Sequence, residues 1–214
     1  MKEQKMHTNE WGVGFLESKG VIWRHKITSL VHAQLTSGNH SDLFCNISRL
    51  LEEPKSLEIV CESLLNEMQE PCPEKIRFIG SAIGGIQIAH VFGSLSEQKI
   101  AFTEKVDGEM KFVRFALEPG EVVVVVEDVL TTGGTTLKTI AACKKAGATV
   151  FPTVLAVVNR SKTTEILAPD GFTYTIKSFA EIGGEEWLPD ECPLCSKGST
   201  AKKPKAHWNE FFPT

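Results

Sequence analysis

An α/β fold, with a mostly parallel sheet flanked by helices, is predicted for this chain of 214 residues. Residues 122–126 are five consecutive valines, which favours a strand that is covered on both faces. Strand-like segments alternate with segments of helical periodicity, the order of right-handed β-α-β connections. The composition is 42% hydrophobic and 23% charged, as in ordinary globular proteins, and the length suits one domain.

The individual elements follow from local patterns. Residues 10–35 mix aromatic and aliphatic side chains and are expected to form a short helix and a strand. An amphipathic helix is predicted to begin near Ser56, because apolar residues recur at helical spacing from Leu57 to Met68. Further helices are expected from Gly85 to Gly93 and from Leu137 to Gly147. Core strands are expected at residues 75–80, 100–102, 112–116, 122–126, 150–158 and 172–176.

These elements predict a single domain over residues 1–214. We expect an N-terminal cap over about residues 1–50, an α/β core over residues 51–180, and an irregular C-terminal extension over residues 181–214. The extension is rich in Gly, Glu, Pro and Lys, and its lysines at 202, 203 and 205 are expected to keep it solvated.

Charge and hydropathy limit the functional classes. The valine run is far shorter than the ~20 apolar residues of a membrane span, and the N-terminal sequence MKEQKMHTNEW lacks the apolar core of a signal peptide. We therefore expect a cytoplasmic protein with no membrane partner. The net charge is −4, and no basic cluster is interleaved with aromatic residues, which disfavours nucleic acid as a partner.

Six cysteines are scattered through the chain, which indicates reduced thiols rather than a disulfide framework. Only Cys192 and Cys195 have the spacing of metal ligands. They would supply half of the four ligands of a tetrahedral zinc site, which His207 or a symmetry-related pair could complete. A plain turn or a surface pair of thiols is the alternative.

The segment after the valine strand has the composition of an anion site. Glu127 and Asp128 follow the valines at the edge of the sheet where ligands collect in open α/β folds. Residues 131–136, TTGGTT, then precede a helix, whose free N–H groups and dipole favour a phosphate. The carboxylates suit sugar hydroxyls or a Mg²⁺ ion, so the segment indicates a phosphorylated ribose. A solvated Gly/Thr turn is the alternative, whereas the Walker and Rossmann patterns do not fit.

Residues 127–135, EDVLTTGGT, resemble the loop that binds phosphoribosyl pyrophosphate (PRPP) in the type I phosphoribosyltransferases. The resemblance implies the fold of that family, a mostly parallel sheet flanked by helices with a small N-terminal hood. It also implies that PRPP contacts a run of nine residues: Glu127, Asp128, Val129, Leu130, Thr131, Thr132, Gly133, Gly134 and Thr135.

Two further segments suit the pyrophosphate half of such a ligand. In residues 80–85, GSAIGG, small residues let backbone amides face an anion, and Ile83 and Gly84 are expected to bind PRPP. The charged segment from Thr103 to Met110 is expected to be a mobile loop that closes over pyrophosphate, with Lys105 as a catalytic and PRPP-binding residue. A tight turn and a solvated hairpin with exposed Lys105 are the respective alternatives.

Residues 35–46 resemble the base-binding segment of the orotate phosphoribosyltransferases, and residues 191–198 resemble the ending of a bacterial subgroup. The resemblance implies that orotate contacts Phe44, Cys45 and Thr131. Arg160, at the end of a predicted strand, is expected to grip the orotate carboxylate through two parallel hydrogen bonds. A polar turn and a surface Arg paired with an acid are the alternatives.

The resemblance implies that the chain transfers the phosphoribosyl group of PRPP to orotate, with Lys105, Glu127 and Asp128 as catalytic residues. It also implies Mg²⁺ held mainly by PRPP, and a homodimer. Thr36, Gly84 and Glu104 stand where many members have Lys, Lys and Arg. Two alternatives therefore stay open: a type I phosphoribosyltransferase for another base, and a PRPP-sensing regulator without catalysis.

Overall fold

The computed structural model of the protein describes residues 8–68 and 72–212. Both ends of the predicted domain lie outside the described residues, as do residues 69–71. None of the described helices is long and apolar enough to cross a membrane.

Seven α-helices are described. They are α1 (Asn9–Ser18), α2 (Ser48–Leu51), α3 (Pro54–Asn66), α4 (Gly84–Ser96), α5 (Gly134–Lys145), α6 (Pro193–Ser196) and α7 (Trp208–Phe211). Short 3-10 helices cover Pro189–Glu191 and Pro204–Ala206.

The described strands are β1 (Ile22–Arg24), β2 (Val31–Gln34), β3 (His40–Ser41), β4 (Leu43–Cys45), β5 (Arg77–Ser81), β6 (Lys99–Val106), β7 (Glu109–Lys111), β8 (Val122–Leu130), β9 (Thr149–Val150), β10 (Thr153–Asn159), β11 (Glu165–Leu167), β12 (Thr173–Glu181), β13 (Glu186–Trp187) and β14 (Thr200–Lys202).

The main sheet has the spatial order β11-β12-β10-β8-β5-β6-β7, with β9 paired to the start of β8. The five strands from β12 to β6 are parallel, and antiparallel strands β11 and β7 close the two edges. This arrangement confirms the predicted mostly parallel sheet. It also brings the carboxyl ends of β5, β8 and β10 to one edge, where ligands bind in such sheets.

The valine strand lies at the centre of the core, as the sequence predicts. Val124 and Val126 pack on one side of the sheet with α3 and α4, whereas Val123 and Val125 pack on the other side with α5. All four valines are fully buried. Burial on both faces explains why this strand has no polar alternation.

Three predicted elements differ in the structure. The expected loop from Thr103 to Met110 is a hairpin of β6 and β7, because Asp107 and Gly108 both adopt the positive φ of a two-residue turn. The strand expected at residues 112–116 is absent. The strand expected at residues 150–158 is split into β9 and β10 around Pro152, which has no N–H to donate.

A second sheet joins the two ends of the chain. Its spatial order is β13-β3-β2-β14, so the N-terminal strands β2 and β3 lie between two strands from the C-terminal segment. The segment over 181–214 was expected to be irregular. Its described part instead contributes two strands to this sheet, which we call the hood.

Candidate active site

A cleft of about 170 Å³ opens at the carboxyl ends of β5 and β8. Residues 81–84, from the last residue of β5 to the start of α4, line one side of the cleft. Residues 127–136, from β8 to the start of α5, line the other. Every residue predicted to bind PRPP lies in this lining, with the exception of Lys105. The structure thus brings together two segments that are more than forty residues apart in sequence.

The start of α5 presents backbone N–H groups to the cleft. Gly133 precedes the helix with a φ of 74°, a conformation that other residues rarely adopt, so glycine is favoured there. Thr131, Thr132 and Thr135 are exposed around this turn. Free N–H groups, hydroxyls and the positive end of a 12-residue helix favour a phosphate at this point.

A second helix begins at the same cleft. Helix α4 starts at Gly84, directly after the turn that leaves β5 and after a cis peptide bond between Ala82 and Ile83. A Cβ on Gly84 would overlap Asp128 Oδ2, so the turn packs tightly against that carboxylate. With the positive ends of α4 and α5 on opposite sides, the cleft can hold a ligand with two anionic groups.

Glu127 ties the two sides of the cleft together. Its Oε1 accepts hydrogen bonds from Ser81 Oγ at 2.8 Å and from Thr136 Oγ1 at 3.0 Å. The side chain is buried, and this burial raises the pKa of the Glu127 carboxyl to about 7, with hydrogen bonds from Ser81 opposing the shift. Glu127 therefore fixes the position of the end of β5 relative to the first turn of α5.

Asp128 is the more accessible carboxylate. Its Oδ1 accepts a hydrogen bond from the backbone N–H of Val129 at 2.7 Å. The residue is partly exposed in the cleft. Burial raises the pKa of Asp128, while hydrogen bonds and the positive charge of Lys205 act in the opposite direction. Asp128 can therefore offer oxygen atoms to a ligand between the two helix ends.

A second cavity, of about 550 Å³, adjoins the cleft and shares Thr131 and Thr132 with it. Phe44 and Arg160, both predicted to contact the base, line this cavity. Cys45 does not, because successive residues of strand β4 point to opposite faces. Burial raises the pKa of the Cys45 thiol to about 11, against the effect of the nearby Arg160 charge.

Arg160 is held in place but not fully paired. Its side chain is 7% exposed, and Nη2 donates to Glu186 Oε1 at 3.2 Å. Its Nε is buried and has no hydrogen-bond partner among the described residues. A buried N–H without a hydrogen-bond acceptor destabilises the folded protein. The Nε of Arg160 can therefore donate a hydrogen bond to an oxygen atom of a ligand.

Sequence reasoning missed two cations of this cavity. Lys203 and Lys205 follow strand β14 and line this cavity together with Phe44, although they were expected to keep the tail solvated. Both side chains are exposed and can turn toward a ligand. No local pattern could have placed them here, since their position depends on the pairing of β14 with β2.

Lys105 lies outside both cavities. It is exposed on strand β6, where it pairs with Met110 of β7. The turn of this hairpin is held by α5, because Lys138 Nζ donates a hydrogen bond to Gly108 O at 2.5 Å. Within the described chain, the geometry therefore matches the solvated hairpin with exposed Lys105. The closure of these residues over pyrophosphate stays a prediction.

The possible metal ligands Cys192 and Cys195 meet two histidines of the hood, His32 and His40. We call these four residues the His/Cys cluster. His207 was expected as a further ligand, but its Nδ1 lies 3.1 Å from Glu210 Oε1 and it is not part of the cluster. No symmetry-related pair is needed to complete a set of four ligands.

Comparison with known proteins agrees with this geometry. The family model of the phosphoribosyl transferase domain matches residues 86–189, and the fold and the cleft together define a phosphoribosyltransferase. An orotate phosphoribosyltransferase of Desulforamulus reducens is 34% identical over 174 residues, which are 81% of this chain and 87% of that protein. One from Carboxydothermus hydrogenoformans is 32% identical over 191 residues, 89% of this chain and 93% of that protein. The chain belongs to the orotate phosphoribosyltransferase family.

Solved structures show the same architecture. The orotate phosphoribosyltransferase of Aeropyrum pernix matches with a TM-score of 0.61 and 26% identity, covering 79% of this chain and 93% of that one. An adenine phosphoribosyltransferase from Rhodothermus marinus matches with a TM-score of 0.58 at 19% identity, covering 79% of this chain and 99% of that one, which indicates a common fold.

Proposed function

We propose that the protein transfers the phosphoribosyl group of PRPP to orotate, giving orotidine 5′-monophosphate and pyrophosphate. The observation that carries this proposal is the junction of two cavities at Thr131 and Thr132. One cavity lies between two helix N-termini and suits a doubly anionic sugar. The other has an aromatic ring and a buried, incompletely paired arginine, which suit a planar base with a carboxylate.

The ribose and its phosphates fit the cleft of 170 Å³. The 5-phosphate would bind at the start of α5, to the amides and hydroxyls of residues 131–135. The pyrophosphate would bind at the turn before α4, near Ile83 and Gly84. Asp128, between the two, would accept hydrogen bonds from the ribose hydroxyls, and Glu127 would keep both turns in place.

The base fits the cavity of 550 Å³. Phe44 offers a ring for stacking, and the Nε and Nη groups of Arg160 can donate two parallel hydrogen bonds to a carboxylate. Lys203 and Lys205 add positive charge to a wall that contains one acid, Glu186. This excess of positive charge favours orotate over an uncharged purine or pyrimidine.

The reaction needs no covalent enzyme intermediate. A ring nitrogen of orotate, having released its proton to solvent, attacks the anomeric carbon. The bond from that carbon to the pyrophosphate oxygen breaks, and pyrophosphate leaves with the electron pair. Positive charge develops on the ribose ring in the transition state, next to the carboxylate of Asp128. Positioning and electrostatic stabilisation therefore supply most of the rate enhancement.

Mg²⁺ would neutralise charge on the pyrophosphate when it binds together with PRPP. The cleft fits an ion that keeps substrate and water ligands, because Asp128 offers hard oxygen donors beside the pyrophosphate position. Within residues 8–68 and 72–212, no group of three or more carboxylates forms a dedicated cage for such an ion.

We also propose a homodimer, in which Lys105 contributes to the partner's cleft. This would give a role to a lysine on a hairpin that lies outside the cleft of its own chain. Light scattering measures the mass. Mixing Lys105→Ala with Asp128→Asn should regain activity, because a hybrid dimer has one site with both residues intact. A monomeric mass, or no regain after subunit exchange, would contradict this assignment.

Loss of orotate absorbance in the presence of PRPP and Mg²⁺ tests the function itself. Uracil, hypoxanthine and adenine, each supplied in place of orotate, test the alternative of another base. Turnover of orotate alone is expected. Faster turnover of another base would reassign the substrate, and PRPP binding without any turnover would favour a regulator.

A further inference from the structure

The His/Cys cluster connects the N-terminal strands of the hood to the C-terminal segment that follows β13. His32 lies on strand β2, and His40 lies on strand β3. Cys192 directly precedes the short helix α6, which contains Cys195. The four residues thus connect the β2–β3 hairpin to the turn between β13 and β14, and they lie outside the two cavities proposed for the substrates.

The distances within the cluster match a tetrahedral metal site. His32 Nε2 lies 3.1 Å from His40 Nδ1, 3.5 Å from Cys192 Sγ and 3.6 Å from Cys195 Sγ, and Cys195 Sγ lies 3.4 Å from His40 Nδ1. With ordinary Zn–N and Zn–S bond lengths, a tetrahedron has edges of roughly 3.3 Å between two nitrogens and roughly 3.6 Å between nitrogen and sulfur. All four atoms lie within 4.8 Å of one another, so one ion can contact them all.

The surroundings of the cluster also suit a metal. His32, His40 and Cys192 are buried, with exposed fractions of 0%, 6% and 4%. The second ring nitrogen of His32, Nδ1, lies 3.0 Å from Ser199 Oγ, which can fix the ring with Nε2 directed at the centre of the cluster. An outer hydrogen bond of this kind typically orients a metal-bound histidine.

We propose that His32, His40, Cys192 and Cys195 bind one Zn²⁺ ion as a structural site. Two imidazole and two thiolate ligands in a tetrahedron suit zinc, and four protein ligands leave no open position for a substrate. Both thiols release their protons to solvent when the ion binds. The ion thereby cross-links segments that are about 160 residues apart in sequence.

The hood has a physical need for such a cross-link. Among the described residues, the apolar cluster beside it has three buried members, Ala33, Phe211 and Phe212, and the other hydrophobic residues packed on it are partly exposed. Small units of this kind commonly depend on a metal or a disulfide for stability. The chain continues from the cluster into β14 and then to Lys203 and Lys205, so the ion also fixes one wall of the cavity of 550 Å³.

Metal analysis of the full-length protein, purified without chelators or a polyhistidine tag, tests the proposal independently of activity. Wild-type protein should hold one zinc per chain, and Cys192→Ser or His32→Ala should lose it. The matched controls Cys72→Ser and His90→Ala replace residues of the same types outside the cluster, and should keep the metal. Equal zinc in all five proteins would overturn the assignment.

Cobalt spectroscopy needs no variant, and so does not depend on how the variants fold. Wild-type protein stripped of metal and given Co²⁺ should develop thiolate-to-cobalt charge transfer and the visible bands of a tetrahedral site, which Zn²⁺ should abolish. Titration of denatured protein should find all six thiols. A featureless cobalt spectrum, or four thiols and a Cys192–Cys195 disulfide, would exclude the metal site.

Discussion

The Asp128 carboxylate packs directly against the backbone of Gly84, where it leaves no room for a side chain. A carboxylate near the end of β8 is thus in contact with the turn that precedes α4. The two sides of the cleft depend on each other, because a shift of either segment changes the distance between the two helix N-termini. In our account, this distance is matched to the two anionic groups of PRPP.

Gly84→Ala should therefore displace Asp128 and lower kcat/KM by about tenfold or more, as expected when a contact in the transition state is lost. The far-ultraviolet circular dichroism spectrum should stay unchanged. Gly14→Ala is the matched control, because a Cβ at Gly14 on α1 would meet no atom within 4 Å. Equal activity of the two variants would show that the position of Asp128 does not matter.

Arg160→Lys keeps the charge but loses the planar pair of donors. Its KM for orotate should rise by about tenfold, because a charge-assisted hydrogen bond contributes roughly 1.5 kcal/mol or more. The KM for PRPP should change little. The control, Arg49→Lys, alters an arginine that pairs with Glu52 at the surface. If KM for PRPP rose instead, Arg160 would belong to the phosphate side of the site.

Lys205→Ala should move the pH profile of kcat/KM. The charge of Lys205 lowers the pKa of Asp128, so its removal raises that pKa and shifts the acidic limb of the profile to higher pH. Lys197→Ala, which replaces another exposed lysine of the same segment, should leave the limb in place. Superimposable profiles for wild type and Lys205→Ala would mean that Lys205 does not act on Asp128.

Glu127 should make folding stability depend on pH. Burial raises its pKa from 4.5 to about 7 in the folded protein, so the stability associated with the protonated carboxyl is lost as pH rises through this interval. Between about pH 5 and about pH 7.5, wild type should lose about 2 kcal/mol more than Glu127→Gln in urea unfolding. Glu62→Gln, at an exposed position, should behave like wild type. Parallel losses in all three proteins would contradict the buried state of Glu127.

The central strands and the glycine-rich turn before α5 were predictable from sequence because their signals are local. Five valines in succession favour burial on both faces, and TTGGTT between a strand and a helix favours an anion site. The hairpin of β6 and β7 was given only as the alternative to a loop, although its signal is also local. Asp107-Gly108 between two strand-like segments favours a two-residue turn.

The hood could not be predicted in this way. Strands β13 and β14 are two and three residues long, and they form only because β3 and β2 lie beside them. The contact of His32 with Cys192 and the position of Lys205 at the cavity of 550 Å³ depend on the same strand pairs, which join residues far apart in sequence. Such elements carry no periodicity of their own, so only the folded chain reveals them.

The most direct measurement of the central claim is the yield of both products from PRPP, Mg²⁺ and orotate. Wild-type protein should form orotidine 5′-monophosphate and pyrophosphate in equal amounts. Asp128→Asn should lose most of this turnover while its thermal unfolding stays cooperative. Pyrophosphate without the nucleotide, or full activity in Asp128→Asn, would contradict the assignment of the two cavities.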